Sequence, residues 1–104
     1  MNQYKENPNR KVFNIDFDGT LTNGQYINDP IPELSIIDRV KDLYINGHII
    51  IIWTARFWNQ APFLVSWLTK YSIPFHGIIM AKGGSDFYLD DKMISMDKFY
   101  NGEF

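Results

Sequence analysis

The sequence predicts an α/β fold in which parallel strands alternate with helices. Short apolar runs rich in β-branched residues alternate with longer segments whose apolar residues recur at helical spacing. The apolar runs show little alternation of apolar and polar residues, which is typical of strands covered on both faces. We therefore expect a parallel sheet joined by right-handed crossovers, with helices on both of its faces.

The predicted elements follow one another with short connections. Strands are expected near residues 12–17, 49–53, 75–80 and 87–90. Helices are expected over residues 33–46 and 58–71, and Pro62 fits the second helix only within its first turn. Residues 18–32 have no helical period, so we expect a loop with a small flap around 25–27. A short helix and a tail are expected within residues 92–104.

The composition indicates one small domain. The chain has 104 residues, of which 45% are hydrophobic, enough for a single core over residues 1–104 with a loose segment at 1–10. Its formal charge of −2 provides no broad basic field of the kind that binds nucleic acid. The absence of cysteine excludes disulfides, thiol nucleophiles and thiolate metal sites, and it is compatible with a reducing cytoplasm.

Nothing in the sequence predicts a membrane protein. Residues 1–11 are polar and lack the apolar core of a signal peptide. The longest apolar run, Ile49–Trp53, is far shorter than the roughly 20 residues that a spanning helix needs. We therefore expect a soluble protein that is located in the cytoplasm.

Polar side chains of different types follow each predicted strand. They are Asp16 and Asp18, then Thr54, then Lys82, then Asp90 and Asp91. Because the carboxyl ends of parallel strands meet at one edge of a sheet, we expect these side chains to converge. Four acids, a hydroxyl and an ammonium group are a poor way to stabilise a fold. They are a suitable set for holding a divalent cation and a phosphoryl group.

Each of these residues has a simpler interpretation when it is taken alone. Asp18 followed by glycine is more often a hairpin turn, and an isolated Thr54 is typical of a helix N-cap. Lys82 beside two glycines is typical of a solvated loop lysine, and Asp90 with Asp91 could cap a short helix. The ordered set at successive strand ends favours the functional interpretation.

The stretch from Asp16 to Thr22, with the pattern DxDGTLT, resembles the first motif of the haloacid dehalogenase (HAD) superfamily, most of whose members are Mg²⁺-dependent phosphohydrolases. The strand-end threonine, the lysine and the final acidic pair follow in the order of that family's other motifs. The set spans residues 12–91. The resemblance implies a HAD-like Rossmannoid fold. Residues 18–32 are too few for the family's cap domain, so it implies a capless member.

The resemblance also implies a role for each motif residue. Asp16 would be the nucleophile that forms an aspartyl-phosphate, and Asp18 would protonate the leaving oxygen and then deprotonate water. Thr54 would hydrogen-bond a phosphoryl oxygen, and Lys82 would offset negative charge. Further substrate contacts are expected from Gly19, Thr20, Ala55 and Arg56.

Mg²⁺ is the cofactor that the resemblance implies. Its ligands would be the Asp16 carboxylate, the Asp18 backbone carbonyl and one or both of Asp90 and Asp91. We favour Asp91 as the direct ligand, although the order of the pair stays open. A carboxylate and a phosphate at ~4 Å repel each other by about 4 kcal/mol at an effective dielectric of 20, so a cation is needed between them.

The function implied is a Mg²⁺-dependent phosphomonoester hydrolase acting on a small phosphorylated substrate. The chain is similar to small HAD proteins, some of which are associated with surface-polysaccharide synthesis, and this points to a phosphosugar. Capless relatives accept large exposed substrates or use a neighbouring subunit as a lid. A homo-oligomer is therefore a further expectation.

Several alternatives stay open. A nucleic-acid 3′-phosphatase, as in polynucleotide kinases, suits an open site, but the charge of −2 argues against it. A receiver-type signalling module has its acidic pair after the first strand, whereas here the pair comes last. A non-catalytic phospho-ligand-binding module is disfavoured because no motif residue is missing. Arg56 could bind a substrate anion or stabilise its loop, and we interpret His48 and His76 as structural.

Overall fold

The computed structural model describes residues 6–24, 28–82, 87 and 89–104. Within these ranges the chain forms an α/β fold with a three-stranded parallel sheet, which confirms the predicted fold class. The elements in chain order are β1 (Val12–Asp16), α1 (Leu34–Ile45), β2 (Ile49–Trp53), α2 (Ala61–Lys70), β3 (Gly77–Ile79) and α3 (Met96–Tyr100). The predicted flap at 25–27 lies outside the described residues.

The sheet has the order β1-β2-β3, and both pairings are parallel. Asp16 lies beside Trp53, and Trp53 in turn lies beside Ile79, so the carboxyl ends of all three strands share one edge. The two crossovers step across the sheet in the same direction. Because such crossovers are right-handed, α1 and α2 must lie on the same face of the sheet.

One face of the sheet carries the core. Ile15, Ile50 and Ile52 are buried there in a single cluster with the buried residues of all three α-helices. On the opposite face, Val12 is 64% exposed and Ile79 is 49% exposed. The prediction of helices on both faces is therefore wrong for the described part of the chain. A helix on the second face requires a crossover in the other direction, and no α-helix is described between β3 and α3.

The predicted strand near 87–90 is also wrong for the residues that are described there. Phe87, Leu89 and Asp90 are not in a strand, and the side chains of Phe87 and Leu89 are exposed. Tyr88 lies outside the described residues. Three apolar residues before an acidic pair have strand propensity, but so short a run is held in a sheet only by pairing with a neighbour. The described residues of this segment have no such pairing.

The helix boundaries agree closely with the sequence prediction. α1 ends at Ile45 with Asn46 as its C-cap, and Gly47 follows at φ 89°, the left-handed conformation expected of a helix stop. A 3₁₀ turn, Trp58–Gln60, precedes α2, and Pro62 lies within the first turn of α2, as predicted. The short C-terminal helix α3 is confirmed, and its N-cap Ser95 accepts a hydrogen bond from the Lys98 backbone N–H. None of the helices in the described ranges combines the length and apolar character needed to cross a membrane.

The core extends into the turn that follows β1. Phe17 and Leu21 are fully buried, and the Phe17 ring meets the Trp67 ring edge-on at 4.9 Å. The Trp67 indole N–H donates to the carbonyl oxygen of Pro30 at 3.2 Å. The segment carrying the first acidic motif is thus anchored from below by aromatic packing, which offsets the entropy of ordering it.

Truncation on the two faces of the sheet should have unequal effects. Ile52→Ala should lower the free energy of unfolding by about 2–5 kcal/mol, because it leaves a cavity in the core. Ile79→Ala, on the exposed face, should lower it by less than about 1 kcal/mol. Urea unfolding followed by tryptophan fluorescence measures both values. Equal losses would contradict the one-sided core.

Candidate functional site

The turn after β1 presents two carboxylates at the edge of the sheet. Asp16 is the last residue of β1, and Asp18 follows in the turn Phe17–Leu21. Gly19 has φ 84°, a conformation that side-chain-bearing residues adopt only with strain. The hydroxyl oxygen of the fully buried Thr22 accepts hydrogen bonds from the backbone N–H groups of Gly19 and Gly24, both at 3.1 Å. Thr22 therefore fixes the shape of this turn.

Lys82 forms an ion pair with Asp16 across 66 positions of sequence. Its Nζ lies 2.6 Å from Asp16 Oδ1 and 4.6 Å from the centre of the Trp53 ring. The Lys82 side chain is 15% exposed and the Asp16 side chain 35% exposed, so the pair is partly shielded from water. In this contact the side chain at the end of β1 and the side chain that follows β3 converge, as the sequence predicts. The Thr20 hydroxyl lies 3.5 Å from Asp16 Oδ2, at the limit of a hydrogen bond.

Backbone hydrogen bonds hold the loop that carries Lys82. Its backbone N–H donates to the Thr54 carbonyl oxygen at 3.0 Å, and the Ala81 N–H donates to the Arg56 carbonyl oxygen at 2.7 Å. Ala81 has φ 59°, which is strained for a residue with a Cβ. The loops after β2 and β3 are thus joined at the edge where Asp16 ends β1.

Arg56 binds both oxygens of Asp18. Its Nε lies 2.9 Å from Oδ2 and its Nη2 lies 2.8 Å from Oδ1, the bidentate geometry of a guanidinium–carboxylate pair. The third nitrogen, Nη1, donates to Gln60 Oε1 at 2.6 Å. The guanidinium carbon lies 5.1 Å from the centres of both the Phe17 and Phe63 rings. Both interpretations of Arg56 fit this geometry. Its side chain stabilises the loop through Gln60, and its Nε–H and Nη2–H groups form a fork that binds an anion.

Thr54 lies beneath the site rather than at its surface. Its side chain is buried, and its hydroxyl oxygen accepts a hydrogen bond from the Arg56 backbone N–H at 3.1 Å. Its backbone N–H donates to the Ile79 carbonyl oxygen at 2.9 Å. This is a short-range turn contact and not the helix N-cap that Thr54 suggests when taken alone. Ala55, the next residue, is exposed.

Of the final acidic pair, Asp90 shares a groove with Asp16 and Asp91 does not. Asp90 lines a groove of about 700 Å³ together with Asp16, Thr20 and Lys82. Its Oδ1 accepts a hydrogen bond from the Lys92 backbone N–H at 2.8 Å, which is a local turn contact. Asp91 is exposed and does not line this groove. Residues 83–86, which include the glycines after Lys82, lie outside the described residues.

In this arrangement both motif carboxylates are paired with cations rather than gathered around a metal position. Mg²⁺ takes six oxygen ligands in near-octahedral geometry. Lys82 contacts one oxygen of Asp16, and Arg56 contacts both oxygens of Asp18. Across the described residues there is no group of three or more His, Cys, Asp or Glu side chains that could hold a metal ion. The oxygen chemistry suits the ion, while the carboxylates of this arrangement are engaged by Lys82 and Arg56.

Both histidines have structural roles, in agreement with the sequence interpretation. His48 Nδ1 accepts a hydrogen bond from the Lys11 backbone N–H at 3.0 Å. His76 Nδ1 accepts one from the Ile50 backbone N–H, also at 3.0 Å. Each ring thereby satisfies a backbone donor beside a strand.

Sequence reasoning missed three residues that shape the site. Thr22, Gln60 and Phe63 hold the first turn and the Arg56 side chain. Gln60 had a usable signal, because it stands four positions after Arg56, where side chains meet once the chain turns helically. Thr22 closes the DxDGTLT stretch, so its position was marked although its role was not, and Phe63 carried no comparable signal.

The comparisons with known proteins bear on the fold. No family model and no curated protein matches the chain. Among solved structures, the chain is similar to the crystal structure of a structural-genomics target from Vibrio cholerae, with a TM-score of 0.76 and 28% sequence identity. The similarity covers 86% of this chain and 87% of that chain. The name of that protein states no activity, so the likeness supports a shared fold over nearly the whole length and nothing about function.

The Thr22 hydroxyl should matter for stability although it is not a predicted site residue. Thr22→Val keeps the shape but removes the acceptor of two backbone N–H groups. The free energy of unfolding should fall by about 1–3 kcal/mol. Thr20→Val is the matched control and should cost less than about 1 kcal/mol, because its hydroxyl makes one long contact. Urea titration of both variants checks the difference, and equal losses would contradict the role given to Thr22.

Proposed function

We propose that this chain is a HAD-like phosphomonoester hydrolase that acts through an aspartyl-phosphate on Asp16. The ion pair between Lys82 Nζ and Asp16 Oδ1 at 2.6 Å is the observation that supports this most directly. An ammonium group held against a strand-end carboxylate offsets the repulsion that an incoming phosphate dianion would meet there. The ordered motif set of the sequence supports the same assignment.

The proposed reaction has two displacement steps at phosphorus. In the first, an Asp16 carboxylate oxygen forms a bond to phosphorus while the bond from phosphorus to the leaving oxygen breaks. Asp18 gives that oxygen its proton, so an alcohol leaves. In the second step, water attacks phosphorus, Asp18 takes its proton, and the acyl-phosphate bond breaks. Inorganic phosphate leaves and the Asp16 carboxylate is restored.

Other residues of the site would position the phosphoryl group. Lys82 would contact it beside Asp16. The Thr54 hydroxyl, which is buried in this arrangement, would donate to one of its oxygens only once the loop after β2 moves. The left-handed turn at Gly19 supports close approach of the phosphate to backbone N–H groups. Thr20, whose hydroxyl lies near Asp16, would be a further donor.

Dependence on Mg²⁺ is a separate part of the proposal. It rests on the oxygen chemistry of Asp16, Asp18, Asp90 and Asp91, and the described residues contain no group of three or more His, Cys, Asp or Glu side chains that adds to it. When bound, the ion would neutralise charge between carboxylate and phosphate. The two displacement steps are each assigned to side chains of the protein and not to the ion.

The finer expectations from the sequence belong to this proposal as well. They are the capless HAD-like architecture, a small phosphorylated substrate such as a phosphosugar, a homo-oligomer that completes an open site, and a cytoplasmic location. The exposed side chains of Phe57 and Trp58, next to Arg56, support either substrate or subunit contact at this edge.

A second candidate is a module that binds a phosphorylated ligand without hydrolysing it. Both oxygens of Asp18 are engaged by Arg56, so the proposed acid–base group is occupied in this arrangement. This observation favours binding over turnover. The two candidates differ in whether phosphate is released.

Asp16→Asn should abolish phosphate release. The amide keeps the side-chain shape but cannot act as the nucleophile, so turnover should fall by about 10³-fold or more. Phosphate release is measured with an aryl phosphate, sugar phosphates, nucleotides and 3′-phosphorylated DNA, in Mg²⁺ and in EDTA. The control Asp38→Asn removes one negative charge from an exposed position on α1 and should leave turnover unchanged.

The outcomes of this assay separate the candidates. Loss of turnover with Asp16→Asn and with EDTA would support the metal-dependent hydrolase, and the panel would rank its substrates. Turnover that survives EDTA would overturn the metal dependence alone. Absence of turnover on every substrate, with a folded protein that binds phosphate, would favour the binding module.

A further inference from the structure

The Arg56 side chain offers a fork of two N–H groups toward one point. Nε and Nη2 converge on the Asp18 carboxylate, at 2.9 Å and 2.8 Å from its oxygens. The Arg56 side chain is 8% exposed, whereas the Asp18 side chain is 42% exposed. The Arg56 guanidinium is therefore largely buried, whereas the Asp18 carboxylate that it binds is accessible to solvent.

Contacts that do not involve Asp18 hold the guanidinium in place. Gln60 Oε1 accepts from Nη1 at 2.6 Å, and the Phe17 and Phe63 rings each lie 5.1 Å from the guanidinium carbon. Phe17 is fully buried and cannot shift without disturbing the core. If Asp18 left the fork, the fork would still point at the same solvent-accessible position.

The fork suits a phosphoryl group as well as a carboxylate. A guanidinium binds both anions through two parallel N–H···O bonds, which is why arginine recognises either. Arg56 and Lys82 are already paired with carboxylates. An incoming anion must therefore compete with one of these internal carboxylates.

We propose that Arg56 and Gln60 form a preformed phosphoryl-binding site that the Asp18 carboxylate occupies in the absence of substrate. The phosphoryl group of the substrate displaces this carboxylate from Nε and Nη2 of Arg56. Gln60 is the positioning residue that keeps the fork aimed. The proposal rests on the proposed function for its substrate, but the anion site itself requires no turnover. The exchange breaks no covalent bond, and the released Asp18 carboxylate takes up one proton, from solvent or from a phosphoryl monoanion, before it protonates the leaving oxygen.

The exchange would place substrate binding before the acid–base step of Asp18. While Arg56 donates to both of its oxygens, the Asp18 carboxylate is held in the fork and each oxygen has a lone pair committed to the guanidinium. Displacement by the phosphoryl group releases Asp18 at the moment the substrate arrives. Substrate binding and availability of the acid–base group are then a single event.

Phosphate binding without metal tests the site directly. Inorganic phosphate is titrated into the full chain in EDTA, with the heat of binding as the readout. Asp18→Ala removes the competing carboxylate and should raise phosphate affinity about tenfold or more, since two charge-assisted hydrogen bonds become available to the ligand. Gln60→Leu added to Asp18→Ala should lose a large part of that gain.

A charge-matched control separates the fork from simple electrostatics. The double variant Asp18→Ala with Arg56→Lys has the same net charge as Asp18→Ala but lacks the fork, so the gain should largely disappear. In the unsubstituted protein, the NMR signal of the Arg56 Nε–H should shift on phosphate addition. That readout does not depend on whether a variant folds.

The results bear differently on the two proposals. A tenfold gain that needs Arg56 supports the anion site even if no substrate is hydrolysed. Equal phosphate affinity with and without Asp18, a gain that persists with Arg56→Lys, or an unmoved Arg56 signal at saturating phosphate would each overturn it. None of these three results would count against hydrolysis at Asp16.

Discussion

The parallel pairing of β2 with both β1 and β3 is the constraint on which the site depends. It brings the carboxyl ends of three strands to one edge, so the loops after them share a small volume. The β1 turn is then fixed from below by buried Phe17 and from within by Thr22. The loop after β3 is tied to the loop after β2 by backbone hydrogen bonds of Ala81 and Lys82. The polar residues lie close together because strand pairing and backbone hydrogen bonds fix the positions of their loops.

Electrostatic pairing follows from this convergence. Two ion pairs are described at this edge: Asp16 with Lys82, and Asp18 with Arg56. Partly shielded charges are costly unless they are paired, so the arrangement is stable without a ligand. It is also poised for exchange, because a phosphoryl group can replace a carboxylate on either cation. The same ion pairs thus account for a stable resting site and for competition with an anionic ligand.

The features that depend on local pattern could be predicted, and those that depend on tertiary context could not. The four isoleucines of β2 and the periodic face of α1 specify their elements locally, and both were predicted to within a residue or two. The convergence of Asp16 and Lys82 also follows from strand order alone. Strand formation around Phe87 was overestimated, since it requires a neighbour that propensity does not reveal. The contact between Gln60 and Arg56 depends on the path of one loop.

Chemical trapping of the intermediate tests the central claim most directly. The protein, with Asp18→Asn to slow the second step, is mixed with an aryl phosphate, quenched in acid and treated with borohydride. Borohydride reduces an acyl-phosphate on aspartate to homoserine, which peptide mass spectrometry locates. We expect homoserine at position 16 and at no other acidic residue. Phosphate release by the unsubstituted protein with an unmodified Asp16 in the trapped variant, or with homoserine at another position, would contradict the assignment of the nucleophile.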